Sequence, residues 1–172
     1  SYPHELGVAT DAVGNAIVVW GDSGRIKIAR YSRASEMWGV PEDISEGYGP
    51  RLAMDAAGNA LVVSSRGNLP SGAIRAMRYS VASGTWGSVT ELVAAVTQLD
   101  NAPQIAMDAA GNAVSAWVAY TTGTPALVQT ARSSAATGLW GEVITWVPLR
   151  ASSMSPSGRR AMRSWLGPRR AA

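Results

Sequence analysis

Three arginines are the residues of this sequence whose type and spacing most resemble a binding site. Arg30, Arg78 and Arg132 each precede a tryptophan by eight residues, and Tyr31 and Tyr79 directly follow the first two arginines. Guanidinium groups bind carboxylates and other oxyanions in a bidentate manner, and they also stack on aromatic rings. Such an array predicts a site for an anionic or sugar ligand. The alternative is that each arginine pairs with an acid on a neighbouring element.

Two tryptophans add an aromatic component to this array. Trp20 and Trp117 occupy the same position of a repeat described below, where another copy has Ser64. A tryptophan that one copy replaces by serine is not a general packing requirement, and an amphipathic indole ring can stack on a sugar. The pattern predicts a ligand site, with carbohydrate as one candidate ligand, in clefts between repeats. The predicted ligand-binding residues are Trp20, Trp117, Arg30, Arg78 and Tyr31.

Residues for metal or nucleophilic chemistry are scarce. The sequence has no cysteine and a single histidine, His4, which excludes thiolate chemistry and multi-histidine metal centres. Asp11, Asp55 and Asp108 recur once per repeat, whereas Ca²⁺ needs about six to eight oxygen ligands brought together. We therefore expect these aspartates to cap turns, and we expect neither a metal nor a cofactor.

Acids that precede or enter the last strand of each repeat are the candidates for hydrolytic chemistry, namely Glu42, Asp43, Glu91 and Glu142. Glycoside hydrolysis uses two carboxyl groups about 5 to 10 Å apart. Nothing in the spacing of these acids brings two of them together. No arginine cluster with a tyrosine nucleophile and its acid partner can be assembled either. The sequence therefore predicts no catalytic residue.

The composition fits one ordinary domain. The chain has 172 residues, of which 47% are apolar and 16% charged, so a buried core is expected. Residues 1–149 hold 9 basic and 12 acidic side chains, whereas 150–172 hold six arginines and no acid. The net charge of +3 therefore belongs to the tail, and nucleic-acid binding is not expected beyond weak contacts of that tail. No apolar run has the roughly 18 residues that a membrane helix needs, so no membrane insertion is expected.

Three pairs of similar segments organise the sequence. The first segment of each pair reads VATDAVGNAIVVW at 8–20, LAMDAAGNALVVS at 52–64 and IAMDAAGNAVSAW at 105–117. The second segment carries the arginine and a Trp-Gly pair, at 26–39, 74–87 and 128–141. Repeats are expected at 6–45, 50–95 and 103–148 within a domain spanning 1–149. The segment 150–172 is either a solvated extension or a partial fourth repeat, because 154–158 resembles 107–111.

Turn chemistry predicts what each repeat forms. The motif D-x-x-G-N stands between two short apolar runs rich in β-branched residues. An aspartate that opens a type I turn accepts a hydrogen bond from the backbone two residues on. A glycine three residues later supplies the left-handed conformation of a bulged hairpin. Helical periodicity is absent, so each repeat is predicted to form four short antiparallel strands.

With these motifs the sequence resembles bacterial β-propeller repeat proteins, in which a D-x-x-G-N hairpin is followed by an R-Y strand and a W-G strand. A more distant similarity extends to NHL-type and Asp-box hairpins, although the Asp box places its glycine two residues after the aspartate rather than three. The resemblance implies an all-β fold of four-stranded propeller blades. Three blades are expected, with a partial fourth as the alternative. The resemblance implies a scaffold and transfers no activity.

A stack of three blades leaves two apolar blade faces and unpaired strand edges uncovered. Closed propellers have about four to eight blades. We therefore expect a homo-oligomer in which a dimer completes one ring. A fragment of a longer protein and a four-bladed ring closed by the tail are the alternatives. The predicted function is a non-enzymatic binding or assembly module, a purely structural repeat is the alternative, and a glycosidase-like or sialidase-like enzyme is least favoured.

Overall fold

The described chain is built from β-strands alone. A computed structural model describes residues 4–67, 72–96, 102–119 and 126–146. The strands in these ranges form three separate antiparallel sheets, one for each repeat, so the predicted all-β fold of four-stranded blades is confirmed. These residues contain no helix with the length and apolarity needed to cross a membrane.

The first sheet, blade 1, runs from its inner strand to its outer strands in chain order. Its strands are β1 (His4–Thr10), β2 (Ala16–Asp22), β3 (Arg25–Ser32), β4 (Met37–Trp38) and β5 (Glu42–Glu46). Both β4 and β5 pair with β3, so the outer strand is divided into two short pieces. Pro41 lies in the gap between these pieces and has no N–H with which to continue a ladder.

Blades 2 and 3 repeat this arrangement. Blade 2 consists of β6 (Tyr48–Met54), β7 (Ala60–Arg66), β8 (Gly72–Ser80), β9 (Thr85–Trp86) and β10 (Thr90–Val96). Blade 3 consists of β11 (Gln104–Met107), β12 (Ala113–Ala119), β13 (Leu127–Ser133) and β14 (Ile144–Trp146). The inner strands β1, β6 and β11 lie side by side, so the blades stack around a common inner edge.

The D-x-x-G-N turns form the hairpins that the sequence predicts. In blade 2, Asp55 Oδ1 accepts hydrogen bonds from the backbone N–H groups of Ala57 and Asn59 at 3.0 and 2.8 Å. Gly58 has a φ of 92°, the left-handed region in which a side chain is strained. The asparagine adds a link that the sequence did not reveal, because Asn59 Oδ1 accepts a hydrogen bond from the N–H of Val81 at the end of β8.

The core lies between the blades. One cluster joins blades 1 and 2 and contains Ile17, Val19, Ile26, Ile28, Ala60 and Val62. A second joins blades 2 and 3 and contains Ile74, Trp117, Ala119 and Ala131. Full burial of one large aliphatic side chain stabilises a fold by about 1.5 to 3 kcal/mol. The blades therefore stabilise one another, as a repeat that cannot bury its own faces requires.

The outer strand differs from its sequence prediction, and the predicted fourth repeat is untested. The sequence predicts four strands per repeat, and in blades 1 and 2 the structure divides the fourth into two short pieces. The segment 150–172, with its predicted partial fourth repeat, lies outside the described residues. The domain bounds of 1–149 and 150–172 stay predictions.

Candidate functional site

The five predicted ligand-binding residues lie on three different surfaces. Arg30 on β3 is the cross-strand neighbour of Ile17 on β2, and Ile17 belongs to the core between blades 1 and 2. Arg30 therefore lies on the side of blade 1 that faces blade 2. Tyr31 pairs instead with Ala16, so it lies on the opposite side of the sheet, and Trp20 shares that side. We call this side, which no other described blade covers, the open face of blade 1. The other two residues, Arg78 and Trp117, lie between blades 2 and 3.

Arg30 joins blade 1 to blade 2. Its Nη1 donates a hydrogen bond to the hydroxyl oxygen of Tyr79 at 3.0 Å, and its Nη2 donates to Glu42 Oε1 at 2.6 Å. The guanidinium carbon lies 5.3 Å from the centre of the Tyr79 ring. Burial lowers the pKa of Arg30, but hydrogen bonds and charge interactions with Glu42 and Tyr79 outweigh it and raise the pKa above its ordinary value. These contacts hold the guanidinium between the blades.

Arg78 and Trp117 make the equivalent contacts between blades 2 and 3. Arg78 Nη2 donates to the carbonyl of Gly111 at 3.2 Å and to Ser133 Oγ at 3.4 Å. Trp117 is only 3% exposed, and its indole N–H donates to Gln129 Oε1 at 2.9 Å. Arg30 and Arg78 therefore link consecutive blades, and the indole of Trp117 is part of the core.

Two of the repeated aspartates, Asp11 and Asp108, are poor proton donors. Burial raises the pKa of Asp11, but hydrogen bonds from the Asn15 side chain and from backbone N–H groups more than compensate, so the pKa lies below its ordinary value. The Asn112 side chain and backbone lower the pKa of Asp108 in the same way. A general acid needs a pKa near the working pH. The geometry thus agrees with the prediction that these aspartates cap turns.

Two grooves lie at opposite ends of the junction between blades 1 and 2. The turn-end groove has a volume of about 440 Å³ and lies beside the D-x-x-G-N turns, where two of the predicted ligand-binding residues, Arg30 and Tyr31, line it together with Tyr79. The second, which we call the polar groove, has a volume of about 630 Å³ and lies where β2 turns into β3 and where blade 1 connects to blade 2. Its charged and phenolic residues are Arg25, Arg66, Glu46, Glu91 and Tyr48.

One carboxylate lies between two guanidinium groups in the polar groove. Glu46 Oε1 is 3.6 Å from Arg25 Nη1, and Glu46 Oε2 is 3.9 Å from Arg66 Nη2. Both contacts are longer than a charge-assisted hydrogen bond of about 2.8 Å. Arg25 also contacts Asp43 at 3.4 Å. The groove therefore combines two arginines, carboxylates and a phenol, a combination that binds anionic and hydroxyl-rich ligands.

A further carboxylate lies at the same end of the strands. Glu5, near the start of the inner strand β1, has a φ of 57°, which is strained for a residue with a side chain. Its Oε2 accepts a hydrogen bond of 2.6 Å from the N–H of Gly49 on β6. Backbone strain of this kind is concentrated at functional sites.

Sequence reasoning missed the polar groove. Arg25, Glu46, Tyr48 and Arg66 are the first or last residues of their strands, away from the positions that the three repeats share. The signal that could have found them is the charge at these strand ends, because binding residues are frequent on and beside loops held by a rigid scaffold.

Three of the four acids predicted as hydrolytic candidates have cationic neighbours of their own. Glu42 pairs with Arg30, Asp43 with Arg25 and Lys27, and Glu91 with Arg75 at 3.5 Å. Of these acids, Glu91 lines the polar groove with Glu46. In the described ranges, no three histidine, aspartate or glutamate side chains are arranged to hold a metal ion.

The fold places this chain among β-propeller proteins. No protein-family model matches the sequence, and no curated protein matches it either. Among solved structures, the chain is similar to the Hadza microbial sialidase Hz136, with a TM-score of 0.57, 13% identity, and coverage of 82% of this chain and 37% of that one. The specific family of bacterial repeat proteins that the motifs resemble is not established by this likeness.

Two fungal enzymes have the same fold over most of the chain. The Fusarium graminearum GH93 α-L-arabinofuranosidase matches with a TM-score of 0.51 and 11% identity, covering 83% of this chain and 48% of the enzyme. The Penicillium chrysogenum α-L-arabinanase matches with a TM-score of 0.50 and 14% identity, covering 88% and 51%. The chain therefore spans between about a third and a half of the length of these three proteins.

These similarities correct the predicted function. We expected a non-enzymatic binding or assembly module, or a purely structural repeat, and we ranked a glycosidase last. The structures that share the fold are a sialidase, an arabinofuranosidase and an arabinanase, which contradicts the prediction that the chain is not an enzyme. The prediction judged the acids by their spacing in the sequence, and that spacing does not show that the polar groove brings together residues from the ends of separate strands.

Proposed function

We propose that this chain supplies three blades of a β-propeller enzyme that cleaves glycosides, and that the sugar binds in the polar groove. The observation that carries the proposal is the combination of Arg25, Arg66, Glu46 and Tyr48 in one groove of a fold shared with a sialidase, an arabinofuranosidase and an arabinanase. Sequence identity to those proteins is between 11% and 14%, so the activity has to be argued from the residues that line the groove.

The arginines favour an acidic sugar. Arg25 and Arg66 approach Glu46 at 3.6 and 3.9 Å, so neither makes a short hydrogen bond with it. A substrate carboxylate can bind both guanidinium groups in closer, bidentate geometry and so compete with Glu46. Sialosides and uronides carry such a carboxylate, and neutral glycosides do not.

The carboxyl groups and the phenol supply candidates for the cleavage step. Most glycoside hydrolases use two carboxyl groups on either side of the scissile bond, and sialidases use a tyrosine as nucleophile. Glu46 and Glu91 are the two glutamates that line the polar groove, and Tyr48 lies beside them. When a substrate carboxylate binds the two arginines, Glu46 is released from both guanidinium groups and is free to serve as the general acid.

The test is turnover of a small panel of chromogenic glycosides by the 172-residue chain. The panel holds an aryl sialoside, an aryl uronide, an aryl α-L-arabinofuranoside and a neutral aryl glucoside. We expect cleavage of at least one acidic glycoside and none of the glucoside. Removal of a general acid lowers kcat by about 100-fold or more, so we expect that loss in E46Q.

Two further variants make the assignment specific. In R66M we expect a higher KM for the acidic glycoside, because one carboxylate contact is lost. In E36Q we expect unchanged kinetics, since Glu36 pairs with Arg33 on a turn at the other end of the blade. Absence of turnover across the whole panel contradicts the glycosidase proposal. Turnover that E46Q leaves intact contradicts the polar groove as its site.

A further inference from the structure

Blade 3 presents the same apolar surface that blade 2 buries. We call the side of blade 3 that faces away from blade 2 the open face of blade 3. Val114 and Val128 lie there and are 41% and 46% exposed. Their repeat equivalents in blade 2, Leu61 and Ile74, are 1% and 0% exposed where blade 3 stacks on blade 2. The apolar residues of an inter-blade contact are thus in place on blade 3.

Blade 3 also carries the polar side chain of an inter-blade contact. Arg132 has the repeat position of Arg30 and Arg78, each of which donates hydrogen bonds to the next blade. Arg132 is exposed and lines a groove of about 390 Å³ with Asp108 and Trp140. In the part of the chain that the structure describes, no following blade receives it.

The open face of blade 1 carries the matching acceptors. Tyr31 has the position of Tyr79, the residue whose hydroxyl receives Arg30. Tyr31 packs against Trp38 with ring centres 5.4 Å apart, as Tyr79 packs against its own tryptophan at the same distance. Trp20 has the position of Trp117, which covers the preceding blade. Blade 1 is therefore preformed to receive a preceding blade.

We infer that the open face of blade 3 docks on the open face of blade 1 of a second copy of this chain. Arg132 of one copy then reaches Tyr31 and Gly14 of the other, as Arg30 reaches Tyr79 and Arg78 reaches Gly111. Two such contacts close a ring of two chains. Each chain supplies three blades, and the resulting six lie within the range of about four to eight found in closed propellers. The contact is head to tail, and it does not depend on the glycosidase proposal.

The first measurement is the mass of the 172-residue chain by light scattering. We expect twice the chain mass of 17.9 kDa, or about 36 kDa. A monodisperse species of about 18 kDa overturns the inference, because the open faces are then covered by another part of the protein or are not covered at all.

Single substitutions on the two faces identify the contact. V128D places a charge on the open face of blade 3, and W20D places one on the open face of blade 1. We expect each variant to give a species of about 18 kDa with an unchanged β-sheet circular dichroism spectrum. V89D is the matched control, because Val89 is 40% exposed on the middle blade and lies on neither open face. Dimer formation by either face variant overturns the inference.

Mixing the two face variants tests the head-to-tail geometry. In a pair of V128D and W20D chains, one junction combines two intact faces and the other combines two damaged ones. We expect the mixture to form a heterodimer that neither variant forms as a homodimer. A mixture that stays at about 18 kDa contradicts head-to-tail docking, and so does a W20D variant that dimerises through blade 3 alone.

Discussion

The carboxylate of Asp55 lies directly against Gly111 of the following blade. A Cβ atom on Gly111 would come within 2.9 Å of Asp55 Oδ2, closer than such atoms approach in folded proteins. The same relationship recurs one blade earlier, where a Cβ on Gly58 would lie 3.1 Å from Asp11 Oδ2. Each turn therefore packs against the turn of the next blade. The glycine of the motif is needed both for the conformation of its own turn and for the close contact between blades.

This relationship predicts a large effect of G111A. The alanine would be strained at a φ of 86° and would also press on the buried carboxylate, which together cost about 3 kcal/mol in the free energy of unfolding. G138A is the control, because Gly138 has a φ of 68° but no heavy atom within 4 Å of an added Cβ. We expect about 1 kcal/mol for G138A by urea denaturation. Equal losses in the two variants would contradict the stacking role of Gly111.

The burial of Asp55 predicts that the three turn aspartates differ in importance. Asp55 is 5% exposed and accepts three hydrogen bonds within its turn, including one of 2.9 Å from the Asn59 side chain. Asp108 accepts the same set in an exposed turn. D55A leaves buried donors without partners, and we expect it to cost about 3 kcal/mol. D108A leaves donors that water can reach, so its unfolding midpoint in urea should shift clearly less.

Acid should destabilise the fold through the turn caps. Hydrogen bonds hold the pKa of Asp11 and of Asp108 below the ordinary value of 3.8. These groups therefore stabilise the folded state fully above that ordinary value, and the contribution is lost as the pH falls through their lower folded-state pKa. We expect the unfolding free energy to fall below about pH 4. The D11N/D108N variant should show a shallower fall, and an unchanged slope would contradict the role of these caps.

Local chemistry made the blades predictable from the sequence. The D-x-x-G-N turn needs only residues within five positions of one another, so Gly14, Gly58 and Gly111 were assigned correctly to left-handed turns. In blade 1 the division of the outer strand was missed because Gly39 still donates to the carbonyl of Arg30, whereas Pro41 has no N–H with which to continue the ladder. The polar groove was missed for a different reason. Its residues Arg25 and Arg66 come from two blades, and no repeat spacing connects them.

The link between Arg30 and Tyr79 should be measurable as a coupling energy. Arg30 Nη1 donates to the Tyr79 hydroxyl at 3.0 Å, and the guanidinium also lies over the ring. In a double-mutant cycle of R30M and Y79F, we expect a coupling of about 1 kcal/mol in the unfolding free energy. Arg33 provides the control, because it pairs with Glu36 and belongs to blade 1 alone. A coupling of R33M with Y79F as large as that of R30M would contradict a specific contact between blades.

Trp117 and Trp20 share a repeat position but should respond differently to truncation. Trp117 fills the core between blades 2 and 3 and is hydrogen-bonded to Gln129, so W117A should cost about 3 to 5 kcal/mol. Trp20 lies on the open face of blade 1, where no described neighbouring blade covers it. W20A should therefore leave the unfolding free energy of the single chain almost unchanged, measured at protein concentrations too low for association. A large destabilisation by W20A in the single chain would mean that another part of the protein covers this face.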